Sequence, residues 1–234
     1  MKNLIRRMIP SSIESVRHST RSYSQGGEDI LLENALNFLG VPKRTCNYLD
    51  IGANHPYALN NTFRLYKAGA RGVLVEPDPG LCELLSRRRP RDKILNVGVG
   101  FGSEIETATL YQMSANVLNT FSEEEAVRVA AQGVYNIIGK CKIDLWPLND
   151  IIDQCFAGAP EVISIDVEGF DSRVIRELDF ERFRPAILCI ETLKYSQGRE
   201  GEKLIEIIEY IKSKDYLTYA DTYINTIFID RRRW

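Results

Sequence analysis

Short apolar runs recur along this chain, each closed by an acid or a glycine and followed by a stretch with helical spacing. Residues 46–54 read as a strand entering a tight turn, with Asp50 at the strand's end and Gly52 letting the backbone fold back. Residues 73–75, 93–97, 162–165 and 186–190 repeat the pattern, and residues 106–111 and 137–145 are further strand-like runs. Between them, Ile30, Leu31, Leu32, Ala35, Leu36 and Leu39 fit one helix face that Gly40 and Pro42 end. Helices are also predicted over residues 57–67, through Leu81, Leu84 and Leu85, over 123–131, through Val174, Ile175 and Leu178, and over 200–213. Strands alternating with helices imply a parallel sheet covered on both faces. Residues 216–220 and 226–229, joined by a short turn, add a C-terminal antiparallel hairpin. The pattern therefore predicts an α/β, Rossmann-like fold: five parallel strands plus the hairpin, in one domain over residues 23–234 behind an N-terminal extension of residues 1–22.

Composition narrows this picture little. The 234 residues suit one domain, and a net charge of −2 gives no basic field that would argue for nucleic acid. Arg87, Arg88 and Arg89 follow the helix through Leu85 and read as a solvated helix end that complements the dipole. The five cysteines are scattered without zinc-site spacing, so they read as reduced thiols in a cytoplasmic protein. No apolar run is long enough to span a bilayer, and the basic start lacks the apolar stretch of a signal peptide.

The chemistry gathers at the strand ends. Asp50, Glu76, Asp166 and Glu191 each close a predicted parallel strand, and such ends share one edge of the sheet, around the ligand crevice. Glu76 is placed to accept hydrogen bonds from ribose hydroxyls and would repel a 2′-phosphate. Asp50 either holds the glycine turn or meets an ammonium group. Asp166 and Glu191 offer oxygen ligands for a hard cation such as Mg²⁺ or Mn²⁺, or else cap helices. His55, after the turn, is a base, a ligand or a packed loop residue. The turn carries one glycine where a dinucleotide site carries G-x-G-x-x-G, and no Walker motif is present. A nucleoside without phosphates fits better, S-adenosylmethionine being the common one.

The blocks YSQGGED (23–29), YLDIGANHP (48–56), NNTFRLYKAGARGVLVEPDP (60–79), NVGVG (96–100), ISIDVEGFD (163–171), RPAILCIET (184–192) and NTIFI (225–229) resemble, in order, those of the FkbM-type S-adenosylmethionine-dependent methyltransferases. The resemblance implies a class I methyltransferase fold and methyl transfer to a hydroxyl oxygen of a sugar in a polysaccharide, glycolipid or glycosylated metabolite. It implies that Asp50, Gly52, Ala53 and Asn54 wrap the methionine part of the cofactor and that Glu76, with Pro77, takes the ribose. Asn96 and Val97 would border the adenine, and Gln25 and Glu28 would belong to the cofactor pocket or active site. Asn54 and Pro56 stand where glycines are frequent in methyltransferases at large.

The mechanism expected from this reading has Asp166 and Glu191 holding a divalent ion on the sugar hydroxyl while His55 or Glu168 accepts its proton. Residues 104–144 are expected to cover the substrate. Two other classes compete: a non-catalytic module that binds cofactor or glycan, and an NAD-dependent sugar oxidoreductase. The single glycine and the absence of a Tyr-x-x-x-Lys pair speak against the latter.

Overall fold

The computed structural model describes residues 20–167, 169–194 and 201–234. In chain order the elements are α1 (Glu28–Phe38), β1 (Asn47–Ile51), α2 (Phe63–Ala68), β2 (Arg71–Val75), α3 (Pro79–Arg88), β3 (Lys93–Leu95), β4 (Gly98–Gly100), β5 (Glu106–Met113) and α4 (Glu123–Ala130). They continue with β6 (Ile137–Pro147), α5 (Leu148–Cys155), β7 (Val162–Ile165), α6 (Asp171–Glu177), β8 (Ile187–Glu191), β9 (Leu193–Lys194), β10 (Glu202–Lys203), α7 (Ile205–Ser213), β11 (Tyr216–Asp221) and β12 (Asn225–Asp230).

The main sheet has seven strands in the order β11-β12-β8-β7-β1-β2-β3. β1, β2, β3, β7 and β8 are parallel, and β12 returns antiparallel between β8 and the edge strand β11. This is the α/β sheet with a terminal hairpin that the apolar pattern predicts. Because side chains alternate between faces, each strand feeds two cores. Leu49, Ile51, Val73, Val75, Ile163 and Ile165 pack against α5, α6 and α7. Tyr48, Leu74, Val162, Ile187 and Cys189 pack against α1, α2 and α3.

Three local expectations change. The stretch after the first turn is helical only from Phe63, because Asn60, Asn61 and Thr62 spend their side chains on loop and strand partners. The Asn60 amide oxygen accepts from the backbone N–H groups of Thr62 and Phe63, which opens the helix six residues later than its apolar pattern suggests. Helix α5 was not legible in the pattern: it follows β6 directly and buries Leu148, Ile151 and Ile152. The arginine run is also not a wholly solvated end. Arg87 and Arg88 are exposed, but Arg89 is fully buried.

A smaller three-stranded sheet, β4-β6-β5, carries α4 and its own core of Tyr111, Met113, Ala126 and Val129. It fastens to the main domain through Asp78, whose Oδ2 accepts from Gln112 (3.0 Å) and Asn119 (2.9 Å). The segment expected to cover the substrate therefore docks beside Glu76.

Candidate active site at the carboxyl rim

Register fixes the site. Val75, Ile51, Ile165 and Ile190 are cross-strand neighbours, so the next residues outward, Glu76, Gly52, Asp166 and Glu191, form a row along one rim. Asn225 pairs with Glu191 and extends the row onto β12. Neighbouring strands lie about 4.8 Å apart, so Asp166 and Glu191 leave adjacent strands at adjacent positions.

The turn after β1 is bound to both neighbours. The N–H groups of Gly52 and Ala53 donate to the Val75 carbonyl at 3.0 and 3.2 Å, and the Asp166 N–H donates to the Ile51 carbonyl at 3.0 Å. Gly52 has φ +79°, and a Cβ there would collide with the backbone carbonyl of Asp166. Glycine is thus required both by conformation and by the close approach of β7. Asn54 follows with φ 48°, a conformation asparagine tolerates better than most residues.

Glu76 is 5% exposed. Its Oε2 accepts from the Asn54 N–H at 2.8 Å and its Oε1 from the Asp78 N–H at 2.9 Å. Burial pushes its pKa up to about 7, with the two N–H groups opposing. Asp78 caps α3, accepting from Gly80 (2.7 Å) and Leu81 (3.2 Å). Pro77 and Glu76 also give their carbonyls to the exposed Asn96, which donates to them at 2.8 and 3.1 Å, while Val97 is buried beside it.

Asp50 points to the α2 face, as its alternation with Leu49 and Ile51 requires. Its Oδ2 accepts from Thr62 Oγ1 (2.6 Å) and Asn60 Nδ2 (3.3 Å), and Asn60 in turn donates to the Ala53 carbonyl at 3.0 Å. Arg89 completes this group. It donates to the Asn60 amide oxygen (3.1 Å), Thr62 Oγ1 (2.9 Å), Tyr48 OH (2.8 Å) and the Asp92 carboxylate (2.7 Å), and lies 4.0 Å from Asp50. Burial raises the Asp50 pKa, opposed by Arg89, Thr62 and Asn60. Of the two roles open to Asp50, its contacts are those of a residue that holds the glycine turn.

The other half of the rim is built from α1, β7, β8 and β12. Glu28 is buried, with Thr222 (2.5 Å) and Asn225 (3.2 Å) donating to Oε1 and the Gly26 N–H (2.7 Å) to Oε2. Burial alone would raise its pKa, but hydrogen bonds from Thr222, its own N–H, Gly26 and Ser24 together hold it below the usual value. Gln25 is exposed at the entry to α1. Asn225 is 1% exposed, and its Oδ1 is, among the described residues, the buried side-chain oxygen left without a partner. Since its NH₂ must face the Glu28 carboxylate, the free atom is an acceptor. Burial, with the charges of Glu28, Asp166 and Asp50 adding to it, raises the Cys189 pKa well above its usual value. The loop after β7 is shaped by Asp171, which accepts from the N–H groups of Val167 (3.1 Å) and Gly169 (3.3 Å) and whose pKa burial raises to about 6.

His55 is half-buried, and its Nδ1 accepts from the Ala58 N–H at 3.0 Å. The neutral ring therefore carries its proton on Nε2, and burial lowers its pKa. In this arrangement neither ring nitrogen is free to take a substrate proton. Glu168 lies outside the described residues. Among the described residues no three His, Cys, Asp or Glu side chains gather as a metal site, although Mg²⁺ commonly takes only one or two carboxylates with waters and substrate oxygens.

Sequence reasoning found Glu76, Asp166 and Glu191 on their shared rim; Asp50, also expected at a strand end, lies one residue inside β1 and faces α2, and Gly52 takes the rim position. It missed Arg89 and Thr222, and it noted Asn60, Thr62, Asp171 and Asn225 only within matching blocks. The one available signal was the run Asn60-Asn61-Thr62, three side chains that compete with the backbone for hydrogen bonds, inside a predicted helix.

Comparison with known proteins completes the description. Among solved structures, the chain is similar to a TehB-like SAM-dependent methyltransferase from Corynebacterium glutamicum at 11% identity, TM-score 0.42, over 98% of this chain and 97% of that one. It is similar to an O-methyltransferase from Bacillus cereus in complex with SAH at 12% identity, TM-score 0.42, over 92% and 84%. It is also similar to a putative rRNA methylase from Clostridium thermocellum at 8% identity, TM-score 0.45, over 91% and 97%. A search of curated proteins finds no match. The family model described as the methyltransferase FkbM domain matches residues 50–218, more than half of the chain. The Gly52 turn and the rim acids Glu76, Asp166 and Glu191 stand within that match, and the chain belongs to the FkbM methyltransferase domain family.

Proposed function

We propose that this S-adenosylmethionine-dependent methyltransferase transfers its methyl group to a hydroxyl oxygen of a sugar. The observation that carries this reading is the division of one rim between a nucleoside end and a polar end. At the first, Gly52, Ala53 and Asn54 would wrap the methionine part, Glu76 with Pro77 would take the ribose diol, and Asn96 with Val97 would border the adenine. Each Glu76 oxygen spends one lone pair on a backbone N–H, so each keeps another for a ribose hydroxyl. Asp50 would support this pocket from β1, while Gln25 and Glu28, at the entry to α1, would belong to the other end. The Gly52 cradle and the carboxylate donor set fit such a cofactor.

At the second end, Asp166, Glu191 and Asn225 present oxygen acceptors, the chemistry that recognises a polyol. When bound, the cofactor supplies an activated sulfonium methyl. The chain's own residues must hold the hydroxyl oxygen in line with it, roughly 3–3.5 Å away, and relieve it of its proton. A carboxylate of the Asp166–Glu191 pair would accept that proton. The same pair would hold a Mg²⁺ or Mn²⁺ ion, which would acidify a bound hydroxyl.

The test pairs calorimetric titration of S-adenosylhomocysteine with a methyl-transfer assay over a panel of mono- and oligosaccharides. Glu191→Gln is expected to keep S-adenosylhomocysteine affinity and to lose about 10²–10⁴-fold in kcat. Repeating the assay in EDTA, then with Mn²⁺ restored, separates metal-assisted from direct proton removal. Binding without turnover on any hydroxyl acceptor would leave a binding module instead, and a nitrogen or carbon product would refute O-methylation.

A further inference from the structure

Opposite the acidic rim, the amino ends of the same strands carry a surface that the methyl-transfer site does not use. A cleft of about 480 Å³ is lined by Arg44, Lys67, Ala68, Gly69, Arg71 and Arg91. It continues across Lys67 and Ala68 into a furrow of about 300 Å³ with Arg21, Tyr23, Glu33 and Arg64. These cations come from four different places: the segment before β1, the end of α2, the start of β2 and the segment before β3. In a chain of net charge −2, that concentration is set by the fold and not by composition.

The acids of this rim are already engaged. Glu33 takes Lys43 and Arg64, Asp215 takes Arg231 (3.2 Å) and Arg232 (3.6 Å), Glu161 takes Arg233 (2.6 Å), and Asp92 takes the buried Arg89. Among the described residues, Arg44, Lys67, Arg71 and Arg91 meet no carboxylate. Lys67 donates to the Tyr23 hydroxyl (2.6 Å) and Arg91 to the Tyr66 carbonyl (2.6 Å), which leaves their charges uncompensated.

The rim also carries exposed aromatics. Phe38, at the end of α1, is 71% exposed and Trp234 is 61% exposed. Their rings lie 5.8 Å apart, and Tyr219 of β11 lies 6.2 and 6.1 Å from them. Residues 39–46 join Phe38 to β1, and this segment carries Arg44 of the cleft. From β11 to β2 the surface is five strand spacings wide, roughly 25 Å.

We propose that this rim docks on an anionic lipid bilayer, with the guanidinium and ammonium groups at phosphate depth and the exposed Phe38 and Trp234 in the interface, backed by the half-buried Tyr219. Aromatic side chains beside basic ones are the composition of membrane-interface contacts. A nucleic-acid groove interleaves its aromatics among the cations so that bases stack along the backbone track. Here the exposed rings stand together at one end of the surface. No helix among the described residues is long and apolar enough to cross a membrane, so the contact is a surface one. Docked this way, the acidic rim faces away from the bilayer, open to a soluble acceptor.

The experiment is co-sedimentation of the full chain with phosphatidylcholine vesicles and with 70:30 phosphatidylcholine:phosphatidylglycerol vesicles, at about 0.1 and 0.5 M salt. The protein is expected to bind the anionic vesicles, weakly bind the neutral ones, and dissociate at high salt. Removing two surface cations in Arg44→Gln/Arg71→Gln is expected to lower partitioning about 30-fold. Phe38→Ser/Trp234→Ser should lower binding to anionic vesicles while leaving its salt dependence. Unchanged circular dichroism and Tm in both variants show that the fold is kept. Equal binding by wild type and both variants overturns the proposal. So does no binding to anionic vesicles, or retention on an oligonucleotide alone. The vesicles contain neither cofactor nor acceptor, so failure here leaves the methyl-transfer reading standing.

Discussion

The two ends of the carboxyl rim are built on opposite principles. At the nucleoside end every buried polar group is tied to another part of the same domain. Asp50, Asn60, Thr62, Tyr48, Asp92 and Arg89 bond one another, and Asn60 passes that order to the Ala53 carbonyl. At the acceptor end, Glu28 is fully engaged, but Asn225 keeps an unpartnered buried oxygen. A fully satisfied network is rigid and expensive to disturb, whereas an unpaired buried acceptor is costly until a ligand pairs it. The end proposed for the nucleoside is therefore preorganised, and the end proposed for the acceptor keeps a buried oxygen for a ligand to pair.

Breaking the Arg89 network should have the largest effect. Arg89→Met leaves the Asp50 and Asp92 carboxylates without their buried cation and should cost about 3–5 kcal/mol in denaturant unfolding. S-adenosylhomocysteine affinity should fall with it, because the Asn60 support of the turn is lost. A stability change under 1 kcal/mol would contradict the contrast drawn here. Next comes Gly52→Ala, which combines left-handed strain with a collision against the Asp166 carbonyl. It should cost about 3 kcal/mol and abolish calorimetric binding of S-adenosylhomocysteine.

Glu76 allows a subtler test through pH. Its folded pKa, about 7, is raised above the ordinary 4.5. Between those values the folded state binds more protons than the unfolded one, so this group's contribution to stability is present below pH 4.5 and is lost as pH rises through 7. Glu76→Gln should remove that fall, on the order of 2 kcal/mol, from stability measured by urea titration at pH 5 and pH 8. The mutant should also bind S-adenosylhomocysteine more weakly at pH 8, where the wild-type carboxylate is ionised.

The smallest effect is expected at the acceptor end. Asn225→Ala removes one of the donors to Glu28 and should cost about 1 kcal/mol. It should leave S-adenosylhomocysteine affinity unchanged and raise the acceptor KM. Equal damage to cofactor binding would show that the two ends are not independent.

What the sequence alone determined was whatever depends on position along the chain. Alternating and continuous apolar runs set the strands, and an acid that closes a parallel strand must lie at its carboxyl edge, so Glu76, Asp166 and Glu191 were legible before any coordinates, whereas Asp50, one residue inside the end of β1, faces the α2 side. What only the tertiary structure decided depended on partners distant in sequence. Three consecutive arginines look alike in sequence, yet one turns inward because Tyr48 and Asp92 wait beneath it. Asn225 stands 197 residues from the Glu28 carboxylate that orients it. The cations at the amino rim come from separate segments, and none of those segments is basic enough to announce the patch. A one-dimensional pattern records spacing, but a buried charge or a shared surface exists only where the fold brings its members within a few ångströms.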